Sequence, residues 1–161
     1  MFTAYQNLPP NSRVWIYQSD RAFSHKEMEY IAIKAEDFIN QWTRHGDDLK
    51  GSFSIQYDQF LVLAVDESFN NVSGCSIDSS VRFIQQLQNE LQVDFMDKMN
   101  VSFKDNSVLQ IVKLSEFQRL ASEKRITSET IVFNNMVATK EDFENNWEVA
   151  ASQSWHKRFL I

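Results

Sequence analysis

The loop between Asn70 and Ser80 carries the residues whose types are best suited to catalysis. Cys75 lies there, the only cysteine of the chain, directly before a predicted helix. The unpaired N–H groups and the dipole at a helix start stabilise a thiolate and lower the pKa of a thiol. Cys75 is therefore a candidate nucleophile, and His156, in the aromatic tail, is the candidate base. The competing interpretation is structural, because free cysteine is often buried and a lone histidine beside tryptophan is often only packed.

The same loop also has groups that bind an anion at a helix start. Glycine permits an unusual backbone turn, the serines offer hydroxyl groups, and a nearby arginine supplies a positive charge. The candidate ligand-binding residues are Ser73, Gly74, Ser76, Ser79, Ser80 and Arg82. Ordinary helix capping by Ser76 or Asp78 is the alternative, and the Asp78 carboxylate would repel an anion.

Patterns typical of metal sites and of serine hydrolases are missing from the sequence. The histidines at His25, His45 and His156 are widely separated, and no second cysteine exists to share a metal with Cys75. Neither an Asp-x-Asp loop nor a Gly-x-Ser-x-Gly motif occurs. We therefore expect no metal and no cofactor.

Length and composition favour one domain over residues 1–161, since 43% hydrophobic and 13% aromatic residues supply a core. The net charge of −6 opposes binding to nucleic acid or to an anionic membrane surface. No apolar run reaches the roughly 18 residues of a membrane span, and the start lacks the pattern of a signal peptide. A lone cysteine cannot form an internal disulfide. We expect a cytoplasmic protein with no direct membrane insertion.

Hydrophobic periodicity predicts two helices and three strands in the first half of the chain. Ser24 and Glu27 have the spacing of a capping box, which starts the first helix. Asp58-Gln59 divides an alternating strand from a continuously apolar one, which indicates a hairpin. The predicted elements are a strand at Arg13–Tyr17, a helix from Ser24 that stops at Gly46, a hairpin over Ser52–Asp66 and a helix over Ile77–Leu91.

The second half repeats the combination of a hairpin and a helix. Ser115 and Gln118 again have the spacing of a capping box, and Phe143 and Trp147 lie four residues apart on one helix face. The predicted elements are a hairpin of Val101–Phe103 and Val108–Val112 around Asp105-Asn106, a helix from Ser115, a strand at Thr130–Phe133, a helix capped by Thr139, and a tail over Glu148–Ile161 that packs back. Together these predict an α+β fold: a mostly antiparallel sheet built from hairpins, with helices packed on it.

The tryptophans provide candidates for the core and for an interface. Trp42 and Trp147 fall on the apolar stripes of predicted helices, so we assign both to the core. Trp155 lies in the tail without such a stripe, and tryptophan is enriched at binding hot spots. Trp155 is therefore a further candidate ligand-binding residue, as an interface anchor.

Three segments carry a family resemblance: residues 73–84, residues 97–103, and Asn146–Val149 together with Ser154–His156. Over nearly its whole length the chain resembles a family of small bacterial proteins often labelled "ABC transporter ATPase". The resemblance implies nucleotide binding or hydrolysis. Such hydrolysis needs a glycine-rich phosphate loop, yet the sequence contains neither Gly-x-x-x-x-Gly-Lys-Ser/Thr nor Leu-Ser-Gly-Gly-Gln. The resemblance therefore implies no catalytic residue in this chain.

Three functions are open at this stage. The sequence favours a non-catalytic intracellular binding or protein-interaction domain, with a protein or a small molecule as its partner, because no complete catalytic set is present. The first alternative is a small enzyme that uses Cys75 with His156 as base. The second is nucleotide binding, as the family label implies.

Overall fold

The computed structural model describes residues 1–44, 47–66 and 74–161. These residues form the predicted α+β fold, with four α-helices and antiparallel sheets. It is divided into two compact units, residues 1–96 with 138–141, and residues 97–137 with 142–161. Whether these units fold as the predicted single domain stays a prediction. Among the described helices, none has the length and apolar character that crossing a membrane requires.

The first unit contains a three-stranded antiparallel sheet in the order β1-β5-β4, a two-stranded ribbon of β2 and β3, and two long helices. A short 3-10 helix at Tyr5–Asn7 precedes them. The elements are β1 (Arg13–Gln18), α1 (His25–Gln41), β2 (Thr43–Arg44), β3 (Asp47–Asp48), β4 (Gly51–Gln56), β5 (Phe60–Val65) and α2 (Gly74–Leu91). The predicted strand, hairpin and helices of this half are thereby confirmed.

Local signals explain where α1 begins and where the first hairpin turns. The Ser24 hydroxyl accepts from the Glu27 N–H at 3.2 Å, and the Glu27 carboxylate accepts from the Ser24 N–H at 2.8 Å. This is the predicted capping box. The hairpin turns at Tyr57 and Asp58, which both have φ of 53°. The predicted stop of α1 at Gly46 lies outside the described residues, and α1 ends at Gln41.

The core of the first unit lies between its sheet and the two helices. Every residue of the central strand β5 is buried, as its continuous apolar run predicts. Leu61 and Leu63 pack with Ile31 of α1 and Ile84 of α2. The indole N–H of buried Trp42 donates to the main-chain oxygen of Ser76 at 2.9 Å, which ties the end of α1 to the first turns of α2.

The second unit contains a four-stranded antiparallel sheet in the order β7-β6-β8-β9. Its elements are β6 (Asn100–Asp105), β7 (Val108–Lys113), α3 (Leu114–Ser122), β8 (Ile131–Phe133), α4 (Lys140–Asn146), β9 (Glu148–Ala150) and 3-10 helices at Ala151–Gln153 and Trp155–Phe159. The first two residues of α4 belong to the first unit. The β6–β7 hairpin turns at Asn106 and Ser107, with φ of 50° and 68°, one residue later than predicted.

The predicted capping box at Ser115 is wrong. α3 follows β7 without a loop and begins at Leu114, so that Lys113 occupies the N-cap and makes no side-chain capping bond. Ser115 is the second residue of the helix, whereas a capping hydroxyl belongs to the N-cap residue that precedes the helix.

The core of the second unit includes the C-terminal tail. Phe117 of α3 packs against Phe103 of the sheet, and the tail residues Trp155 and Phe159 pack on the same cluster. The predicted return of the tail is confirmed. Trp147 is also buried, and its indole N–H donates to the Asn135 side-chain oxygen at 2.8 Å.

Candidate functional site

An open groove of about 520 Å³ runs between α1 and α2 on the surface of the first unit. We call it the α1–α2 groove. It is lined by Lys34, Asp37, Phe38 and Gln41 of α1 and by Ser79, Arg82, Phe83, Gln86, Leu87 and Glu90 of α2. On α2 these positions recur at three- and four-residue spacing, which places them on one helix face.

The base of the α1–α2 groove is aromatic. The rings of Phe38 and Phe83 are parallel, with centroids 4.5 Å apart and an interplanar angle of 1°. Phe38 also packs on Trp42, at 5.0 Å between ring centroids. Each ring thus packs against an aromatic neighbour from the other helix or from the core, which gives the groove an apolar base.

The rim carries two cations and two anions. The Arg82 guanidinium donates to the Ser79 hydroxyl at 3.0 Å and has no carboxylate partner among the described residues. Glu90 is engaged, because it accepts from the Tyr30 hydroxyl and from the Gln86 amide, and these hydrogen bonds, Tyr30 first, lower the pKa of Glu90. Arg82 and Glu90 are two helical turns apart, about 12 Å along α2. The rim therefore presents at one end a guanidinium without a carboxylate partner among the described residues, and at the other end a carboxylate that accepts two hydrogen bonds.

The predicted ligand residues of α2 differ in their exposure. Ser79 and Arg82 line the α1–α2 groove. Ser76 and Ser80, four residues apart, are buried, and the Ser80 hydroxyl donates to the Ile77 carbonyl at 2.6 Å. Ser80 also hydrogen-bonds Tyr17, whose pKa is raised, chiefly by burial. These two serines are therefore directed toward the interior and not toward a ligand.

The other candidate residues of the loop lie in the first turns of α2 or before it. α2 begins at Gly74, so Ser76 and Asp78 lie within the helix and not at its N-cap. Ser73 and the side chain of Cys75 lie outside the described residues. Cys75 belongs to the first unit and His156 to the second.

His156 is fully buried, with 0% of its surface exposed. Its Nδ1 lies 2.8 Å from the Ser154 hydroxyl, and its ring stacks on Trp155 with centroids 3.7 Å apart. Burial, and secondarily the positive charge of Arg158, lowers the pKa of His156 to about 4 from an ordinary 6.5. The imidazole is thus neutral at pH 7, and its Nε2 has no hydrogen-bond partner among the described residues.

Trp155 is partly buried rather than projecting from the surface. One face of its indole stacks on His156, and the Arg158 guanidinium lies 5.7 Å from its ring centroid. Trp155 and His156 are thus brought together, as a packed pair in the core of the second unit.

Sequence reasoning missed most of the α1–α2 groove. The sequence analysis gives no binding role to Lys34, Phe38, Phe83 or Glu90. The available signal is the series Ser79, Arg82, Phe83 and Gln86 on α2, which forms a second face beside the core-facing stripe. This face of α2 borders a groove only because α1, which is distant in sequence, packs beside it.

Among the described residues, no group of three or more His, Cys, Asp and Glu side chains is arranged to hold a metal ion. Comparisons of the chain with protein-family models, with curated proteins and with solved structures gave no match.

Proposed function

We propose that this chain is a non-catalytic binding domain for another protein and that the α1–α2 groove is its contact surface. The observation that carries the proposal is an exposed Arg82 guanidinium, without a carboxylate partner among the described residues, beside the stacked pair of Phe38 and Phe83. Arginine and aromatic side chains are enriched at the centres of protein interfaces, whereas lysine and glutamate are depleted there.

The form of the groove supports a protein segment rather than a small molecule. Small-molecule sites usually enclose most of the ligand, whereas this groove is open along two helices. An amphipathic helix laid between α1 and α2 would place apolar side chains on Phe38 and Phe83. An acidic side chain of that helix would pair with Arg82, and a basic one would pair with Asp37, which is exposed.

A non-catalytic role agrees with the state of the predicted base. A neutral, buried His156 stacked under Trp155 would have to leave the core before it could take a proton from a substrate. We place the protein in the cytoplasm and propose no nucleic-acid partner, because the net charge is −6 and the chain has a single cysteine.

A photo-crosslinking amino acid at Gln86 tests the proposal in cells that make the protein. The matched control is the same substitution at Gln85, an exposed neighbour on α2 that does not line the groove. We expect a discrete adduct from position 86, no such adduct from position 85, and loss of the adduct with Arg82→Glu. Equal labelling from both positions, or labelling that survives Arg82→Glu, would overturn the proposal.

Thermal unfolding with and without ATP distinguishes nucleotide binding from protein binding. A ligand that binds only the folded state raises the melting temperature. We expect millimolar ATP with Mg²⁺ to leave the melting temperature unchanged. A shift that Arg82→Glu abolishes would instead assign the groove to a nucleotide.

A further inference from the structure

Strand β7 is the outer strand of the sheet in the second unit. Among the described residues it pairs only with β6, in a register that joins Asp105 to Val108 across the two-residue turn. In such a hairpin the closing pair is hydrogen-bonded, and hydrogen-bonded pairs alternate with open ones. The N–H and C=O groups of Leu109 and Ile111 therefore point away from β6, and no described residue pairs with them.

β7 lacks the features that usually protect an outer strand. Edge strands are commonly shortened or carry charge, proline or bulges, which prevent pairing with another chain. β7 is six residues long, has no proline and no bulge in its register with β6, and has no charged residue before Lys113. Val108 is 57% exposed, and the next four residues are partly exposed. This edge is therefore able to pair.

A second groove, of about 350 Å³, borders this edge on the face covered by α3. We call it the β7–α3 groove. Its apolar base consists of Phe103, Val112, Leu120 and Ile126. Gln110 and Val112 of β7 form the wall nearest the edge. A strand added beside β7 would direct every second side chain into this groove, because successive side chains of a strand point to opposite faces.

The charges of the β7–α3 groove indicate what such a strand should carry. Glu116 is occupied, because Arg119 donates to both of its carboxylate oxygens, at 2.9 and 2.5 Å, and lowers its pKa. Arg125 also lines the groove and is exposed, and its guanidinium makes no hydrogen bond among the described residues, although its positive charge contributes to the lowered pKa of Glu116. Asp105 is the other carboxylate of the lining, and it is exposed. An acidic side chain entering the groove would pair with Arg125, whereas an apolar one would cover the base.

We propose that β7 binds an extended segment of a partner protein as an added strand, with an apolar and an acidic residue two positions apart directed into the β7–α3 groove. Main-chain hydrogen bonds to Leu109 and Ile111 supply affinity, and the two side chains supply selectivity. The two side chains are about 7 Å apart along the strand. A second copy of β7 fits less well, because Val108–Lys113 contains no acidic residue for Arg125.

Selection of phage-displayed random twelve-residue peptides on the purified protein tests this proposal. We expect enriched peptides to share an apolar and an acidic residue two positions apart. Selection on Arg125→Glu protein should lose the acidic preference, whereas Lys124→Glu, an adjacent exposed charge outside the groove, should keep it. An enriched set without that pair, or the absence of enrichment, would overturn the proposal.

The role of the backbone is tested by Ile111→Pro, which removes an outward N–H without removing a bond to β6. Ile111→Thr is the matched control, because it changes the side chain and keeps the N–H. For a synthetic peptide from the selection, we expect about tenfold weaker binding with proline, the equivalent of roughly 1.4 kcal/mol, and little change with threonine. Circular dichroism confirms that both variants are folded.

Two outcomes would assign the edge differently. Equal affinity of the proline and threonine variants would show that the peptide does not pair with β7. A concentration-dependent dimer in light scattering, abolished by Ile111→Pro, would identify a second copy as the occupant. Arg82→Glu in the α1–α2 groove should leave peptide affinity unchanged, so this result is independent of the proposed function.

Discussion

The Ser154 hydroxyl and the Nδ1 atom of His156 lie 2.8 Å apart in the interior of the second unit. The pair superficially resembles a nucleophile beside its base, yet its environment gives it another role. Both residues are buried, and the imidazole is covered by Trp155. The hydroxyl satisfies one ring nitrogen of a histidine that folding keeps neutral, which stabilises the tail on the core.

The first prediction concerns the pH dependence contributed by His156. Because its folded pKa, about 4, lies below the ordinary 6.5, the unfolded chain binds the proton more readily. The contribution of neutral His156 to the free energy of unfolding is therefore fully present above about pH 6.5. It is lost as the pH falls toward 4, at no more than about 1.4 kcal/mol per pH unit. Urea unfolding at intervals from pH 7.5 to 4 measures it.

The control for this prediction removes each of two histidines. His156→Gln should flatten the stability difference between pH 7 and 5, whereas His25→Gln, at an exposed site on α1, should leave the wild-type profile in place. If His156→Gln retains the full decline, other groups cause it.

The second prediction compares two serines with identical capping spacing. Ser24→Ala removes a hydroxyl that accepts from the Glu27 N–H, so we expect a loss of about 1 kcal/mol in the free energy of unfolding. Ser115→Ala removes a side chain that is exposed inside α3 and does not cap it. That substitution should be neutral or slightly stabilising, since alanine has the higher helix propensity. Equal losses at both sites would contradict the observed start of α3.

The third prediction concerns Lys140, a buried lysine of the first unit. Its ammonium donates to the carbonyls of Leu8 at 2.8 Å and Tyr5 at 3.1 Å, and lies 4.7 Å from the centroid of the Tyr5 ring. Lys140→Met keeps an unbranched stem and leaves both carbonyls without this donor. We expect a loss of about 1–3 kcal/mol in denaturant unfolding.

The matched control for Lys140 is Lys157→Met at an exposed site in the tail. It should change stability by less than about 0.5 kcal/mol. A comparable loss from both variants would mean that the charge, and not the two carbonyl contacts, is responsible.

The fourth prediction concerns the turn of the second hairpin. Ser107 has φ of 68°, a left-handed conformation that costs an L-residue roughly 1–2 kcal/mol. Ser107→Gly should therefore stabilise the protein in thermal or urea unfolding. Ser115→Gly, the same change inside α3, should destabilise it by about 0.5 kcal/mol, because glycine has a lower helix propensity than serine. Destabilisation at Ser107 would contradict this turn geometry.

The sequence alone determined the features that depend on neighbouring residues. Their sequence signals lie within a few residues of each other. Examples are the capping box at Ser24, the hairpin of β4 and β5, and the amphipathic helix α2. The same local reasoning was wrong at Ser115, since β7 continues directly into α3 and places the helix start at Leu114.

Tertiary structure decided which candidate residues are accessible. The sequence placed Ser76, Ser79, Ser80 and Arg82 in one cluster, and the packing of α2 separated them into a buried pair and a groove-lining pair. Likewise, the sequence predicted that the tail packs back, whereas only the fold shows that His156 is fully buried against Phe117 of α3. Burial, grooves and shifted pKa values arise from the packing of distant segments against each other, so they become known only when the elements are assembled.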